Sequence, residues 1–185
     1  MSHKVRQWVF LFVLIAAVIA VDQLSKRWVV DNLRVGETVR PIPALSPFFQ
    51  LTRSQNTGAA FGFLSQAGDI FLVIALIVVV VMLYFYPRIP ANGRLSRIAT
   101  GLICGGALGN ALDRLTYGHV VDFIHYQIPN LISNVSNPAD HAIVIGVILI
   151  FIESWRSERA RADSTEAASH TGETVPAEDS KTGTP

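Results

Sequence analysis

The sequence is poor in the residues that a disulfide-linked scaffold or a water-facing surface requires. Its 185 residues include one cysteine, Cys104, so no disulfide forms within the chain. Charged residues make up 16% of the chain, against about 25% in an average globular protein. Of the 15 basic and 14 acidic residues, 11 lie within residues 153–185, which leaves 18 for the first 152 residues. Since so few charges cannot cover a water-facing surface, we expect lipid to surround most of the chain.

The sequence also lacks the signals of several common functions. A net charge of +1 gives no indication of nucleic-acid binding. There is no H-E-x-x-H zinc motif, G-x-S-x-G nucleophile motif, P-loop or dinucleotide-binding fingerprint. The histidines His119, His125 and His141 have no recognised metal-ligand spacing, and we expect neither a metal nor another cofactor. Carboxylates therefore remain as the candidate catalytic groups.

Half of the residues are hydrophobic, and they concentrate in four stretches. The stretches cover residues 8–21, 70–86, 98–112 and 142–152. Each reaches the ~20 residues of a membrane span only when a turn or two with polar residues is added. Aromatic residues near the ends, such as Trp8 and Trp155, favour four membrane spans over short buried helices of a soluble protein. The first stretch has the form of a signal peptide, but we expect it to be retained because further spans follow.

The remaining segments predict a small sheet and a tail. Residues 31–69 contain a strand-like run at 48–52 and the turn sequence Asn56-Thr57-Gly58, and residues 116–138 contain a β-branched and aromatic run. We therefore expect residues 1–157 to form an all-α membrane domain with four transmembrane helices and a small extracytoplasmic antiparallel sheet. Residues 158–185 have few large apolar side chains, and we expect a disordered cytoplasmic tail.

If consecutive spans alternate in direction, the unusual polar residues gather at one membrane face, where such groups usually mark function. They are Asp22, Lys26, Asn56, Asn110, Asp113, Arg114, Asp122, Asn137 and Asp140. The opposite face has eight basic residues, against six on the polar face. The positive-inside rule therefore predicts cytoplasmic termini and an extracytoplasmic polar cluster.

Some of these polar residues have structural explanations. Asp22 and Lys26 are four residues apart on one helix face, and we favour mutual neutralisation over catalysis. Asn137-Pro138-Ala139-Asp140 predicts a helix start with Asn137 as the N-cap. Arg114 can belong to a polar knot at a helix end, or hold a phosphate or a backbone carbonyl. Capping does not explain the second carboxylate, Asp122.

Small residues in the third stretch predict helix packing rather than chemistry. Gly101, Gly105 and Gly109 repeat every four residues, a spacing typical of helices in close contact. Cys104 lies among them, and we expect it to be a small packing residue.

Paired carboxylates are compatible with more than one function. Two that share a proton can act as the acid and the base of a hydrolase without a cofactor. A small proton- or cation-coupled transporter also uses intramembrane carboxylates, but it would have polar residues throughout the membrane depth. A structural membrane subunit needs no such pair.

Five motifs resemble, in order, those of the bacterial lipoprotein signal peptidases (signal peptidase II). They are Asp22-Gln23-Leu24-Ser25-Lys26, Asn56-Thr57-Gly58-Ala59-Ala60-Phe61-Gly62, the segment from Gly105 to Arg114, Val120-Val121-Asp122-Phe123 and Asn137-Pro138-Ala139-Asp140. The resemblance covers residues 8–155. One departure is Ser136, where the family usually has Phe before the last motif.

The resemblance implies a four-span intramembrane aspartic endopeptidase of the bacterial plasma (inner) membrane. Such an enzyme cuts a diacylglyceryl-modified prolipoprotein just before its lipid-modified cysteine. Its partners would be this substrate, membrane lipid and inhibitors of the globomycin type.

The resemblance also implies roles for individual residues. Asp122 and Asp140 would be the catalytic pair. Independently of the resemblance, the helix start favours an ionised Asp140 and the apolar neighbours of Asp122 favour its protonated form, so we expect Asp140 to act first as the base and Asp122 as the acid. The residues that position the substrate or support the site would be Asn56, Asn110, Arg114 and Asn137. The residues that form a polar scaffold would be Asp22, Lys26 and Asp113.

Overall fold

The protein is described by a computed structural model of residues 2–58, 67–90, 92–128 and 131–171. The α-helices within these ranges are α1 (His3–Asn32), α2 (Ala67–Phe85), α3 (Arg94–Tyr117) and α4 (Pro138–Thr171). The strands are β1 (Thr38–Val39), β2 (Phe49–Asn56), β3 (Val120–Ile128) and β4 (Ile132–Ser136). Two short 3-10 helices cover Pro43–Leu45 and Tyr86–Arg88.

Helix α3 is the centre of the helical part and packs against α1, α2 and α4. Its glycines make this possible, since a Cβ atom at Gly101 would lie 2.5 Å from Leu14 and one at Gly105 would lie 2.7 Å from Val18. The prediction of close helix packing is therefore confirmed. Cys104 is fully buried in the apolar core of this region, so its predicted role as a packing residue is also confirmed.

Among the described residues, three helices are long and apolar enough to cross a membrane. They contain the segments Lys4–Asn32, Asp69–Arg88 and Pro138–Ala160. Helix α3 is not one of them, although the sequence predicts four spans. The reason is its position and its composition. Of its 24 residues, 13 are buried, and it has fewer large apolar side chains than α2, because it contains glycines, arginines, Asn110 and Asp113.

The four strands form one antiparallel sheet in the order β1-β2-β3-β4, so the predicted small sheet is confirmed. The pairing of β2 with β3 shifts register between Leu51 and Ser54. The sheet joins the helices closely, because β3 follows α3 after Gly118 and β4 leads directly into α4. Gly118 ends α3 with φ +73°, a left-handed conformation that glycine adopts without strain.

The C-terminal boundary of helical structure lies beyond the predicted start of the tail. Helix α4 continues to Thr171, past residue 158. Residues 172–185 lie outside the described residues, so their disorder stays a prediction. The motif residues 59–62 also lie outside the described residues.

Candidate active site

The nine predicted polar residues meet where the sheet joins the helices. They come from five elements and are connected to one another by hydrogen bonds and ion pairs. The most distant in sequence are Asp22 on α1 and Asp140 on α4. Folding therefore brings the ends of α1 and α3 to the start of α4, as alternating helices require.

Asp122 lies on β3 with 2% of its surface exposed. Its Oδ2 accepts a hydrogen bond from Asn56 Nδ2 at 2.9 Å, and its Oδ1 accepts one from Asn137 Nδ2 at 2.6 Å. Burial raises the pKa of the Asp122 carboxyl above its usual range, the two amide hydrogen bonds oppose this, and the nearby Asp140 adds to it. Asp122 is therefore a carboxyl that a buried site favours in its protonated form.

Asp140 lies in the first turn of α4 and is partly buried. Its Oδ1 accepts a hydrogen bond from Asn110 Nδ2 at 2.7 Å. Its backbone N–H donates to Asn137 Oδ1 at 3.0 Å, which confirms Asn137 as the N-cap of α4. Among the described residues, neither Asp140 nor Asp122 forms an ion pair.

The Asn56 side chain is aimed at Asp122 by a local turn. Its Oδ1 accepts the Gly58 N–H at 2.9 Å, which leaves its Nδ2 to face Asp122. Gly58 has φ +78°, and a Cβ atom there would lie 2.6 Å from the Phe71 ring. Glycine is therefore required at this turn for two independent reasons.

Asn110 connects the carboxylate pair to a second polar group. Its Oδ1 accepts from Lys26 Nζ at 3.0 Å and from Asn137 Nδ2 at 3.2 Å. Because both neighbours are donors, the amide of Asn110 must present its own donor to Asp140. The direction of this amide is thus set by its surroundings.

That second group is an ion cluster of Lys26 with Asp22 and Asp113. Lys26 Nζ lies 2.8 Å from a carboxylate oxygen of each aspartate, and the three side chains are 0–2% exposed. The predicted ion pair of Asp22 with Lys26 is present, and its structural role stays a prediction. Gly109 leaves room for the cluster, since a Cβ atom there would lie 2.6 Å from Asp22 Oδ2.

Sequence reasoning missed Gln23. Its Nε2 donates to Asp113 Oδ1 at 2.8 Å, and lies 3.1 Å from both Asp22 Oδ2 and the Gly109 carbonyl oxygen. Its position as a polar residue directly after the first apolar stretch and next to Asp22 was a signal that could have identified it.

Arg114 lies beside the carboxylate pair. Its Nη1 donates to the backbone carbonyl oxygen of Asn110, in the same helix, at 3.2 Å. A backbone carbonyl was one of the partners predicted for Arg114. Its guanidinium carbon lies 5.5 Å from the Phe71 ring centroid. Its Nε is buried and has no hydrogen-bond partner among the described residues.

The arrangement can carry out acid–base chemistry. Two carboxylates lie in one network of neutral amides, and an open cavity of about 300 Å³ beside Asp122 is lined by residues of β2, β3 and β4. An acid–base pair needs one ionised and one protonated carboxyl group. Neutral amide donors stabilise the ionised carboxylate by hydrogen bonds without adding a fixed positive charge. Together, the helices, the sheet and this site define a class, the helical membrane proteins with a carboxylate pair in a polar network beside apolar helices.

Comparisons with known proteins identify the family within this class. The family model for signal peptidase (SPase) II matches residues 14–156. The chain is 37% identical over 148 residues to the lipoprotein signal peptidase of Halothermothrix orenii, which covers 80% of this chain and 97% of that protein. It is 39% identical over 164 residues to that of Anoxybacillus flavithermus, which covers 88% of this chain and 96% of that protein.

A solved structure supports the assignment of the chain as a membrane protein. A bacterial membrane enzyme determined by the in meso method at 2.3 Å superposes with a TM-score of 0.69 and 31% identity, covering 80% of this chain and 89% of that one. The chain belongs to the signal peptidase II family of aspartic peptidases. It is a multi-pass membrane protein, and the resemblance inferred from the five motifs is confirmed.

Proposed function

We propose that this enzyme removes the signal peptide from diacylglyceryl-modified prolipoproteins, cutting just before the lipid-modified cysteine. Asp122 and Asp140 form the catalytic pair. The observation that carries the proposal is their joint attachment to the amides of Asn110 and Asn137, at the junction of the sheet with apolar helices. A peptide that enters from the membrane would meet both carboxyl groups there.

In the proposed reaction, the ionised carboxylate of Asp140 takes a proton from water, and the resulting hydroxide attacks the scissile carbonyl carbon. The protonated Asp122 donates a hydrogen bond to the carbonyl oxygen and stabilises its developing negative charge. The proton held by Asp140 then passes to the leaving amine as the peptide bond breaks. The raised pKa of Asp122 and the position of Asp140 at a helix N-terminus support this division of roles.

The remaining polar residues hold these groups in place. Asn56 and Asn137 hold Asp122, and Asn110 holds Asp140. The buried Nε of Arg114 has no hydrogen-bond acceptor among the described residues, and a carbonyl oxygen of the substrate peptide would supply one. Globomycin-type inhibitors would occupy the place where the substrate peptide binds.

The proposed topology has α3 as a fourth span, with both termini in the cytoplasm and the sheet on the extracytoplasmic side of the plasma membrane. Enclosure by the other three helices allows α3 to cross lipid despite its polar residues. A cysteine introduced at Glu37, in a background lacking Cys104, should react in intact cells with a membrane-impermeant thiol reagent, and one at Asn92 should not. The reverse pattern would contradict the topology.

A cleavage assay tests the function. Purified protein, with no added metal, should convert a diacylglyceryl-modified precursor to a product whose N-terminal residue is the lipid-modified cysteine. The matched control substrate is the same precursor without the lipid, which should be cut poorly because its acyl chains would no longer hold it at the membrane. Absence of cleavage by folded protein would refute the proposal.

The transporter alternative is not favoured. It requires polar residues along the membrane depth, whereas Asp22, Asp113, Asp122 and Asp140 gather in one network. The family to which the chain belongs also consists of peptidases.

A further inference from the structure

The ion cluster is attached to the backbone beside each proposed catalytic aspartate. Asp22 Oδ1 accepts the N–H of Ala139, the residue before Asp140, at 3.0 Å. Asp113 Oδ2 accepts the N–H of Val121, the residue before Asp122, also at 3.0 Å. Each scaffold carboxylate thus holds the chain one residue before one catalytic carboxylate.

Lys26 joins these two attachments. Its ammonium group lies 2.8 Å from both Asp22 Oδ2 and Asp113 Oδ2. Its third contact is with Asn110 Oδ1 at 3.0 Å, and Asn110 in turn donates to Asp140. An ammonium has three donors and no acceptor, so these three contacts satisfy it completely.

Stability alone does not account for this cluster. A buried ion pair can often be replaced by apolar residues without loss of stability, because the desolvation of its charges is costly. Close contacts of Leu14 with Gly101 and of Val18 with Gly105 already pack α1 against α3. The attachments to Ala139 and Val121 therefore require a different explanation.

We propose that Lys26 is a positioning residue for peptide hydrolysis, which sets the separation of Asp122 and Asp140 and the direction of the Asn110 amide. It does so without touching the substrate, through Asp22 and Ala139 on one side and Asp113 and Val121 on the other. The inference rests on the proposed function. It gives α1, which supplies no catalytic group, a defined part in the reaction.

The test is a variant that removes the charges and keeps the acceptors. The triple substitution Asp22→Asn, Lys26→Met and Asp113→Asn leaves a side-chain oxygen near each backbone N–H but no ammonium to join them. We expect it to insert and fold, with kcat for the lipid-modified precursor reduced about 100-fold, since a displacement of about 1 Å at a reacting group costs that much. KM should change little, because the substrate binds elsewhere. A kcat equal to that of the unmodified enzyme would overturn the proposal.

A second variant covers the possibility that the triple variant does not fold. Asp113→Asn alone leaves Asp22 and Lys26 as a neutral pair, and it should lower kcat by less than the triple variant, again without raising KM. Unchanged kcat in this folded variant would equally overturn the proposal. The packing control is Gly101→Ala, which should lower the melting temperature through its clash with Leu14 but leave kcat unchanged.

The same experiment separates this proposal from the proposed function. If the unmodified enzyme does not cut the lipid-modified precursor, the function is wrong. If it cuts the precursor and the variants cut it with the same kcat, only the positioning role is wrong.

Discussion

Two carboxylate pairs lie side by side in this protein and differ in what surrounds them. Asp22 and Asp113 share the ammonium of Lys26, whereas the side-chain hydrogen bonds to Asp122 and Asp140 come from neutral amides. Protonation of Asp22 or Asp113 would weaken an ion pair of the buried Lys26 ammonium, whereas protonation of Asp122 or Asp140 would break no ion pair among the described residues. Aspartate is therefore suited to a structural role in the first pair and to proton exchange in the second pair.

The largest expected effect comes from the amide-lined pair. Asp122→Asn or Asp140→Asn should reduce cleavage of the lipid-modified precursor by roughly 10² to 10⁴-fold, the usual contribution of an acid–base group. Neither variant should lose its fold, because neither aspartate forms an ion pair among the described residues and each asparagine keeps an oxygen to accept from the same amides. Thermal unfolding in detergent checks this, and a large fall in stability that accounts for the lost activity would remove the contrast between the two pairs.

The ion cluster should respond in the opposite way. Lys26→Met leaves Asp22 and Asp113 buried without their cation, which costs about 3–5 kcal/mol of unfolding free energy. We expect poor accumulation in the membrane and a strongly lowered melting temperature. A Lys26→Met protein as stable as the unmodified one would show that the cluster is not held by charge compensation.

The amide donors should tune the pH dependence. Because Asp122 must be protonated as the acid, activity should fall as pH rises through its pKa. The Asn56 hydrogen bond lowers that pKa, so Asn56→Ala should raise it and move the basic limb of the kcat/KM profile to higher pH. Profiles of the two proteins in the same detergent measure the shift, and a move to lower pH would contradict the assignment of Asp122 as the acid.

The smallest effect should come from the C-terminal end. Residues 164–171 form the end of α4 opposite to Asp140, beyond the apolar segment that ends at Ala160, and residues 172–185 follow them in the sequence. Deletion of residues 164–185 should change neither membrane insertion nor kcat. A large loss of turnover in normally inserted, truncated protein would show that the tail has a function.

The parts of the fold that could be predicted are those with local signals. The four-residue spacing of Asp22 and Lys26 predicted their ion pair, and Asn137-Pro138-Ala139-Asp140 predicted the start of α4. The β-branched run near Asp122 predicted β3. In each of these cases neighbouring residues in the chain make the contact or form the element.

The parts that could not be predicted depend on contacts between distant segments. The Asp22 carboxylate reaches the backbone of Ala139, 117 residues away, and a main-chain donor has no distinguishing mark in a sequence. The packing of α3 against three more apolar helices could likewise not be predicted from the sequence of α3 alone, which is only marginally apolar for a membrane span. The roles of the Ala139 and Val121 N–H groups therefore emerged only from the fold.

The most direct test of the account is the double substitution Asp122→Asn/Asp140→Asn, measured beside both single variants on the lipid-modified precursor. If the two carboxyl groups share one proton and act as a unit, losing both should be scarcely worse than losing either, because the effects of such residues are not additive. All three variants should retain the fold and show almost no cleavage. Substantial cleavage by either single variant, or a double variant whose loss equals the product of the two single losses, would contradict the paired mechanism.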